Sequence, residues 1–274
     1  MKLLVALHIY YLDQAAYFAK QFDHLKGLDC DFLITTNKDS DMLRAEFARF
    51  NPTFFMVPNR GLDIGPFFYA MEHVDLDPYD LIIKLHAKRI QRRAYSKNYN
   101  GYYTAGKWQR NLLVESLIGS PEIIKNNLAE FAKHSDSNML GSPYSITPVE
   151  NQYKEMAKKY ALQANPSDAY IAGTMFMVRT QVIKNLMQII HFDDFQEVTA
   201  FNRHDVEFPF FMERFFGLFA GGEMRPGARD EKFEKLSKWF GIRRIFWQNF
   251  QTNHGRHMIR ILGIPIYWRH IAKT

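Results

Sequence analysis

The first part of the chain alternates short apolar runs with helical stretches, and this pattern constrains the fold more than any other feature. Lys2–Tyr11, Cys30–Thr36, Thr53–Val57 and Asp80–Leu85 are runs rich in strand formers. Between them Asp13–Leu25, Asp39–Phe50 and Pro66–His73 carry helical patterns. Asp39 or Ser40 supplies the N-cap of the second helix, and Pro66 stands in the first turn of the third. Strands alternating with helices predict βαβ units and a mostly parallel α/β sheet flanked by helices. Ligands of such sheets bind beyond the carboxyl ends of the strands. Here those ends are His8–Tyr11, Thr35–Lys38, Asn59–Gly65 and His86–Arg89.

The rest of the chain is more helical. Helices are expected at Lys107–Leu117, Pro121–Lys133, Glu150–Leu162, Gln181–Ile190 and about Asp205–Phe216, and strands at Asn138–Ser142 and Tyr170–Val178. Gly221, Gly222 and Gly227 mark a connection to a distinct tail, so the expected parts are residues 1–230 and 231–274. The tail holds nine Lys/Arg against two Glu, whereas the first 230 residues hold 26 basic and 27 acidic residues. A nucleic-acid binder would spread a basic stripe over its folded domain, so this asymmetry argues against a nucleic-acid partner. The single cysteine, Cys30, forms no intrachain disulfide, and no Cys/His cluster has zinc-site spacing. The apolar N-terminal run breaks at His8 with no small-residue cleavage site after it, and no stretch reaches the roughly 18–20 apolar residues of a spanning helix. A cytoplasmic protein, soluble or peripheral to a membrane, is expected.

Four segments carry candidate chemistry. Asn59-Arg60-Gly61-Leu62-Asp63-Ile64-Gly65-Pro66 follows a strand and opens a helix. Gly61 and Gly65 permit close backbone approach, the helix start offers free N–H groups, and the Arg60 fork suits phosphate oxygens. Asp63 binds a sugar or ribose hydroxyl, orients Arg60, or caps the helix; spacing leaves all three open. Lys84-Leu85-His86-Ala87-Lys88-Arg89 ends a buried strand with cationic or titratable groups that suit a diphosphate leaving group. A solvated basic loop, continued by Arg92 and Arg93, is the plain alternative. Ala172-Gly173-Thr174 starts a strand with small residues that let a sugar approach the backbone. Finally, Asp205 and Glu207 open an aromatic helix, where a carboxylate serves as a cap or as a base aimed into the cleft. Glu213 and Arg214, two turns on, form a bracing ion pair in that reading.

Taken together, NRGLDIGPF, YDLIIKLHAKR, WQRNLLVESLIGS, YIAGTMFMVR and MERFFG resemble the rhamnan synthesis protein F family of bacterial polysaccharide glycosyltransferases over roughly residues 1–220. The resemblance implies a GT-A-like nucleotide-diphospho-sugar transferase fold for residues 1–230. It also implies transfer of rhamnose or a related sugar from a nucleotide-diphospho-sugar to a lipid-linked glycan acceptor of a surface polysaccharide. Metal-dependent enzymes of that fold carry Asp-x-Asp at the end of the fourth strand. Lys-Leu-His-Ala-Lys stands there instead, and Asp75-Leu76-Asp77 precedes the strand as a turn cap. The expectation is therefore an inverting enzyme needing no divalent metal or other cofactor. Arg60, His86 and Lys88 hold the diphosphate, Thr36 and Asn37 the nucleoside, and Asp63 a donor hydroxyl, with Asn59 and Arg89 among the substrate-binding residues. Asp205 is the base, with Glu207 or Glu213 next in line. The competing reading is a non-catalytic carbohydrate- or membrane-binding subunit of polysaccharide assembly.

The tail interleaves cations with large rings in Lys238–Trp247 and again in Arg256–Arg269, and it holds Trp239, Trp247 and Trp268. Such a mixture fits an anionic membrane surface at the inner face of the cytoplasmic membrane. The other reading is a helix packed on the catalytic domain.

Overall fold

Leu3–His8 and Leu81–His86 are buried at every position, which marks them as inner strands of a sheet covered on both faces. The structure, a computed structural model, describes residues 1–88, 90, 96–97, 101–104, 107–161, 168–198, 203–221, 224–251 and 256–270. In chain order the elements begin β1 (Leu3–His8), α1 (Ala15–Phe22), β2 (Cys30–Thr36), α2 (Asp41–Phe47), β3 (Thr53–Met56), α3 (Gly65–Glu72) and β4 (Leu81–His86). There follow β5 (Ser96–Lys97), β6 (Tyr103–Thr104), α4 (Lys107–Ile118), α5 (Pro121–Lys133), β7 (Met139–Gly141), β8 (Ile146–Pro148) and α6 (Asn151–Ala157). The chain continues with β9 (Ala169–Ile171), β10 (Phe176–Arg179), α7 (Thr180–Leu186), α8 (Arg203–Ala220) and β11 (Arg225–Pro226). It ends with α9 (Glu231–Phe246), β12 (Trp247–Gln251), β13 (Arg256–Ile261) and β14 (Ile264–His270).

These elements fall into two units, residues 1–88 with 113–228, and residues 89–112 with 229–274. The second unit joins residues 89–112 to the tail. The first unit is built on a seven-stranded sheet in the order β11-β7-β10-β4-β1-β2-β3. β3, β2, β1 and β4 are mutually parallel, and β10 alone runs against its neighbours β4 and β7. The order reverses direction between β1 and β4, and the carboxyl ends at such a switch point are where open α/β sheets bind ligands. His8 and His86 are register partners there.

Alternation along the strands sets the two faces. Leu3, Val5 and Leu7 pack with Phe18, Phe22, Val114 and Leu117 on one face. Leu4, Ala6, Ile82 and Phe176 pack with Phe67, Phe68, Phe211 and Phe215 of α3 and α8 on the other. Each fully buried ring contributes about 1.5–3 kcal/mol of transfer free energy. The many phenylalanines are thus largely core, and the second face is where the site's side chains also lie.

The expected elements are present with shifted ends. Ser40, not Asp39, caps α2, accepting from the Leu43 N–H. The expected strand Tyr170–Val178 is two strands, β9 and β10, separated by a turn in which Gly173 (φ 92°) and Thr174 (φ 48°) are left-handed. The tail is a helix followed by a three-stranded antiparallel meander, β12-β13-β14.

Candidate functional site

An ammonium inside the apolar strand β4 needs a counter-charge, because a buried unpaired charge is costly. Asp63 supplies it. Lys84 Nζ donates to Asp63 Oδ2 at 2.7 Å, to the Thr174 carbonyl at 3.1 Å and to Thr174 Oγ1 at 3.3 Å. Three N–H groups meet three acceptors, so the ammonium is fully satisfied. The Thr174 hydroxyl in turn donates to Asp63 Oδ2. The rings of Phe67 and Phe176 lie 5.6 and 6.0 Å from Nζ and add cation–π attraction.

Two imidazoles complete the cluster. His86 Nδ1 is 3.2 Å from Asp63 Oδ2, without hydrogen-bond geometry. His8 Nδ1 lies 3.0 Å from Thr35 Oγ1. Burial pushes the His8 pKa down to about 4, against the partial support of Asp63, and takes His86 well below its usual value. Both rings are therefore neutral at neutral pH. Burial also opposes ionisation of Asp63, but the Lys84 ammonium and the Thr174 hydroxyl, joined by His86 when that ring is protonated, outweigh it and hold the carboxyl below the usual range. With His86 uncharged, Lys84 is the lasting counter-charge. The Lys84 pKa is itself lowered, by burial first and only partly restored by Asp63.

Loop geometry puts Asp63 in place. Gly61 (φ 65°) and Leu62 (φ 58°) are both left-handed, and the Gly61 carbonyl accepts from the N–H groups of Ile64 and Gly65. A Cβ on Gly61 would overlap the Phe195 ring, and one on Gly65 would overlap the Arg60 carbonyl. The loop is stitched to residues 193–198. Gly61 N–H donates to Gln196 O (3.2 Å), Val198 N–H to Asn59 O (2.8 Å) and Asn59 Nδ2 to Val198 O (2.9 Å).

The other candidate residues have surroundings of their own. Arg60 pairs with Asp193 at 3.2 Å and lies over the Phe192 ring, so its guanidinium is neither oriented by Asp63 nor beside Lys84. Asp63 does not cap α3, whose N-cap is Ile64. The Thr36 hydroxyl is turned into the chain, donating to the Ile9 carbonyl and accepting from the Lys38 N–H. Asn37 is half-buried and its Oδ1 has no partner among the described residues. Asp75 accepts from the Asp77 N–H, and Asp77 pairs with Lys184, at the opposite end of β4.

The carboxylate that does reach the cluster is Glu213. Its Oε1 accepts from the Gly173 N–H at 2.6 Å, and Oε2 is bonded by Arg214. Arg214 is held by Glu150 and sandwiched between Tyr153 and Tyr170, and the Glu213–Arg214 ion pair is present. Burial raises the Glu213 pKa, and the Gly173 N–H and Arg214 only partly offset it. Glu207 is exposed, and it lies six residues earlier on α8, roughly 9 Å along the axis. The side chain of Asp205 lies outside the described residues, as do Arg89, Arg92 and Arg93. Lys88 is half-buried, and Gln14 fixes its backbone through both N–H and C=O. Its ammonium has no ion-pair partner among the described residues, and it lies close enough to lower the pKa values of Lys84 and His86.

His8, Thr35, Asp63 and Phe67 line a small recess at the carboxyl end of β1. Sequence reasoning passed over Lys84, although a lysine in the middle of Leu-Ile-Ile-Lys-Leu signals a buried acidic partner.

The profile of rhamnan synthesis protein F matches residues 1–223. No curated protein matches the chain significantly. A crystal structure from Desulfovibrio desulfuricans G20, described provisionally as a nucleotide-diphospho-sugar transferase, is similar at 14% identity and a TM-score of 0.36. The match covers 82% of this chain and 80% of that one.

Proposed function

The chain belongs to the rhamnan synthesis protein F family, and on that premise we propose that it is an inverting glycosyltransferase needing no metal at the donor diphosphate. The donor is a nucleotide-diphospho-sugar, and the acceptor is a growing lipid-linked glycan. The observation that carries this reading is a pair of carboxylates gathered at one turn with pKa values pushed apart. Asp63 is held ionised, and Glu213, on the Gly173 side of the same turn, is raised toward neutrality. Divergent pairs of this kind divide roles between charge and proton transfer.

In this reading Glu213 is the general base. It accepts the proton of the acceptor hydroxyl as that oxygen forms a bond to the anomeric carbon. The bond from that carbon to the diphosphate oxygen breaks, and its electron pair leaves with the nucleotide diphosphate. Lys88, at the end of β4, faces the developing charge. Among the described residues every contact of the Asp63 carboxylate runs through Oδ2, which leaves Oδ1 for a donor hydroxyl. Lys84 keeps Asp63 ionised and is spent on that role.

The test is release of nucleotide diphosphate from a panel of dTDP- and UDP-sugars, with donor binding followed by thermal shift. Glu213→Gln should lower kcat by about 10²–10⁴-fold, the range of a general base, with donor affinity preserved. Asp205→Asn should retain most activity, and excess EDTA should leave the rate unchanged. Inactivation by EDTA reversed by Mn²⁺, or a Glu213→Gln variant as active as the parent, would refute the mechanism.

A further inference from the structure

Charge in this chain segregates by unit. Residues 89–112 and 229–274 hold sixteen Lys/Arg against three Asp/Glu, while the remainder holds nineteen against twenty-six. Among its described residues, the basic unit exposes a run of large apolar side chains in two adjoining segments. Trp239, Ile242, Ile245 and Phe246 recur along one stripe of α9 and are all exposed, the last two at 61% and 59%. The β13–β14 hairpin adds Ile261, Leu262 (62%), Ile264 (64%) and Ile266. The two sets adjoin, because Leu262 N–H donates to the Phe246 carbonyl at 3.2 Å and Trp247 pairs with Ile261 in the sheet.

The hairpin turn supplies an independent observation. Ile261 pairs with Ile264 across a two-residue turn, Leu262-Gly263, with φ values of 50° and 79°. A turn with both central residues left-handed favours Asn, Asp or Gly at the first position. A leucine there is strained and fully on show, so it serves neither folding nor solubility. Its side chain has value only where an apolar partner awaits it.

We propose that this tip inserts into an anionic lipid bilayer, with Leu262, Ile264 and the Ile245–Trp247 corner in the headgroup–acyl boundary. Lys235, Lys238 and Arg243, all exposed, would contact the lipid phosphates. Both acids of α9, Glu231 and Glu234, sit in its first turn, roughly 16–21 Å along the axis from Ile245. A second copy of the chain is the poorer occupant, since two such strongly cationic units repel. Nucleic acid would match the charge but offers nothing to exposed isoleucine and leucine. The inference goes beyond the proposed reaction and does not depend on it.

Flotation of the full chain with phosphatidylglycerol–phosphatidylcholine vesicles, and with phosphatidylcholine alone, tests it. The parent should float with the anionic vesicles and at least about tenfold more weakly with the neutral ones. Leu262→Asp with Ile264→Asp should lower binding by about a hundredfold, near one decade for each aliphatic side chain withheld from the bilayer. Both positions are exposed, so an unchanged circular dichroism melt confirms that folding is intact, and Leu262→Asn, which suits the turn, provides a second variant. Equal vesicle binding by parent and variants would overturn the proposal and leave charge alone as the cause. A concentration-dependent dimer broken by the variants, with no vesicle binding, would overturn it in favour of self-association.

Discussion

Removing the Lys84 charge tests whether the site is assembled around Asp63. Two unit charges 2.7 Å apart attract by about 6 kcal/mol at an effective dielectric of ~20, before desolvation is subtracted. Lys84→Met keeps the length and removes the ammonium, leaving the Asp63 carboxylate with only Thr174 and the neutral His86. Breaking a buried pair from one side costs about 3–5 kcal/mol, a large share of the roughly 5–15 kcal/mol that holds a domain together. Asp63→Asn should cost less, because its side-chain oxygen still accepts from Lys84. In the double variant neither charge is stranded, so the costs should fall short of additivity by about 2–3 kcal/mol. Urea unfolding of the four proteins at pH 7, followed by far-ultraviolet circular dichroism, measures this coupling. The pH dependence gives a second readout. A carboxyl with a depressed folded pKa contributes stability above its unfolded pKa of about 3.9, and that stability is lost as pH falls through the folded value. Without Lys84 the folded value rises, so acid unfolding should begin at higher pH in Lys84→Met than in the parent. A coupling below about 0.5 kcal/mol, or a neutral Lys84→Met, would refute the view that the pair organises the site.

Two further outcomes follow from the same geometry. His8 titrates near 4 when folded and near 6.5 when unfolded, so the unfolded chain binds more protons between those values and stability falls as pH drops. The loss from His8 is about 2 kcal/mol between pH 7 and 5, and His8→Asn should flatten the urea-midpoint profile by that amount; an unchanged profile would contradict the buried, neutral ring. Gly61→Ala places a Cβ against the Phe195 ring at φ 65°, so the melting temperature should fall by several degrees in calorimetry. An unshifted melt would show that the loop relaxes freely and is not pinned by residues 193–198.

The parallel core was legible because β1 and β4 announce themselves as continuous apolar runs, and the Ser40 and Pro66 signals mark the starts of α2 and α3. Asp63 stood out in the sequence as a polar residue at a strand end where ligands bind, and Thr174 as a small residue at the start of a strand. Their partnership was not legible. It depends on Lys84, twenty-one residues from Asp63 and ninety from Thr174, and on β10 running antiparallel to β4, which no local pattern specifies. The partner of Arg60 was hidden for a similar reason. Asp193 lies 133 residues away, and nothing in the Asn-Arg-Gly segment reveals that the 193–198 stretch crosses it. The Tyr170–Val178 run looked continuous because Ala-Gly-Thr-Met is compatible with a strand until the left-handed pair Gly173-Thr174 bends it.

Backbone strain gives the site its physical rationale. Leu62 and Thr174 are the two non-glycine residues of the site in the left-handed region, a conformation that costs about 1–3 kcal/mol each. Leu62 precedes Asp63 directly, and Thr174 is the residue that bonds both Asp63 and Lys84. The strain is thus spent at the two points that converge on one carboxylate. It persists because each turn is over-determined: one is stitched to residues 193–198, the other is tied by Gly173 to Glu213. A cluster held this way needs no ligand to form it, so its charges stand in position before a donor arrives. Preorganised charge stabilises a transition state more than charge that must reorient during reaction. Relaxing the first turn by Leu62→Gly removes strain without deleting a bond to Asp63, so the melting temperature should hold while Asp63 loosens and nucleotide release from a sugar donor slows; an unchanged rate would refute the link between strain and placement.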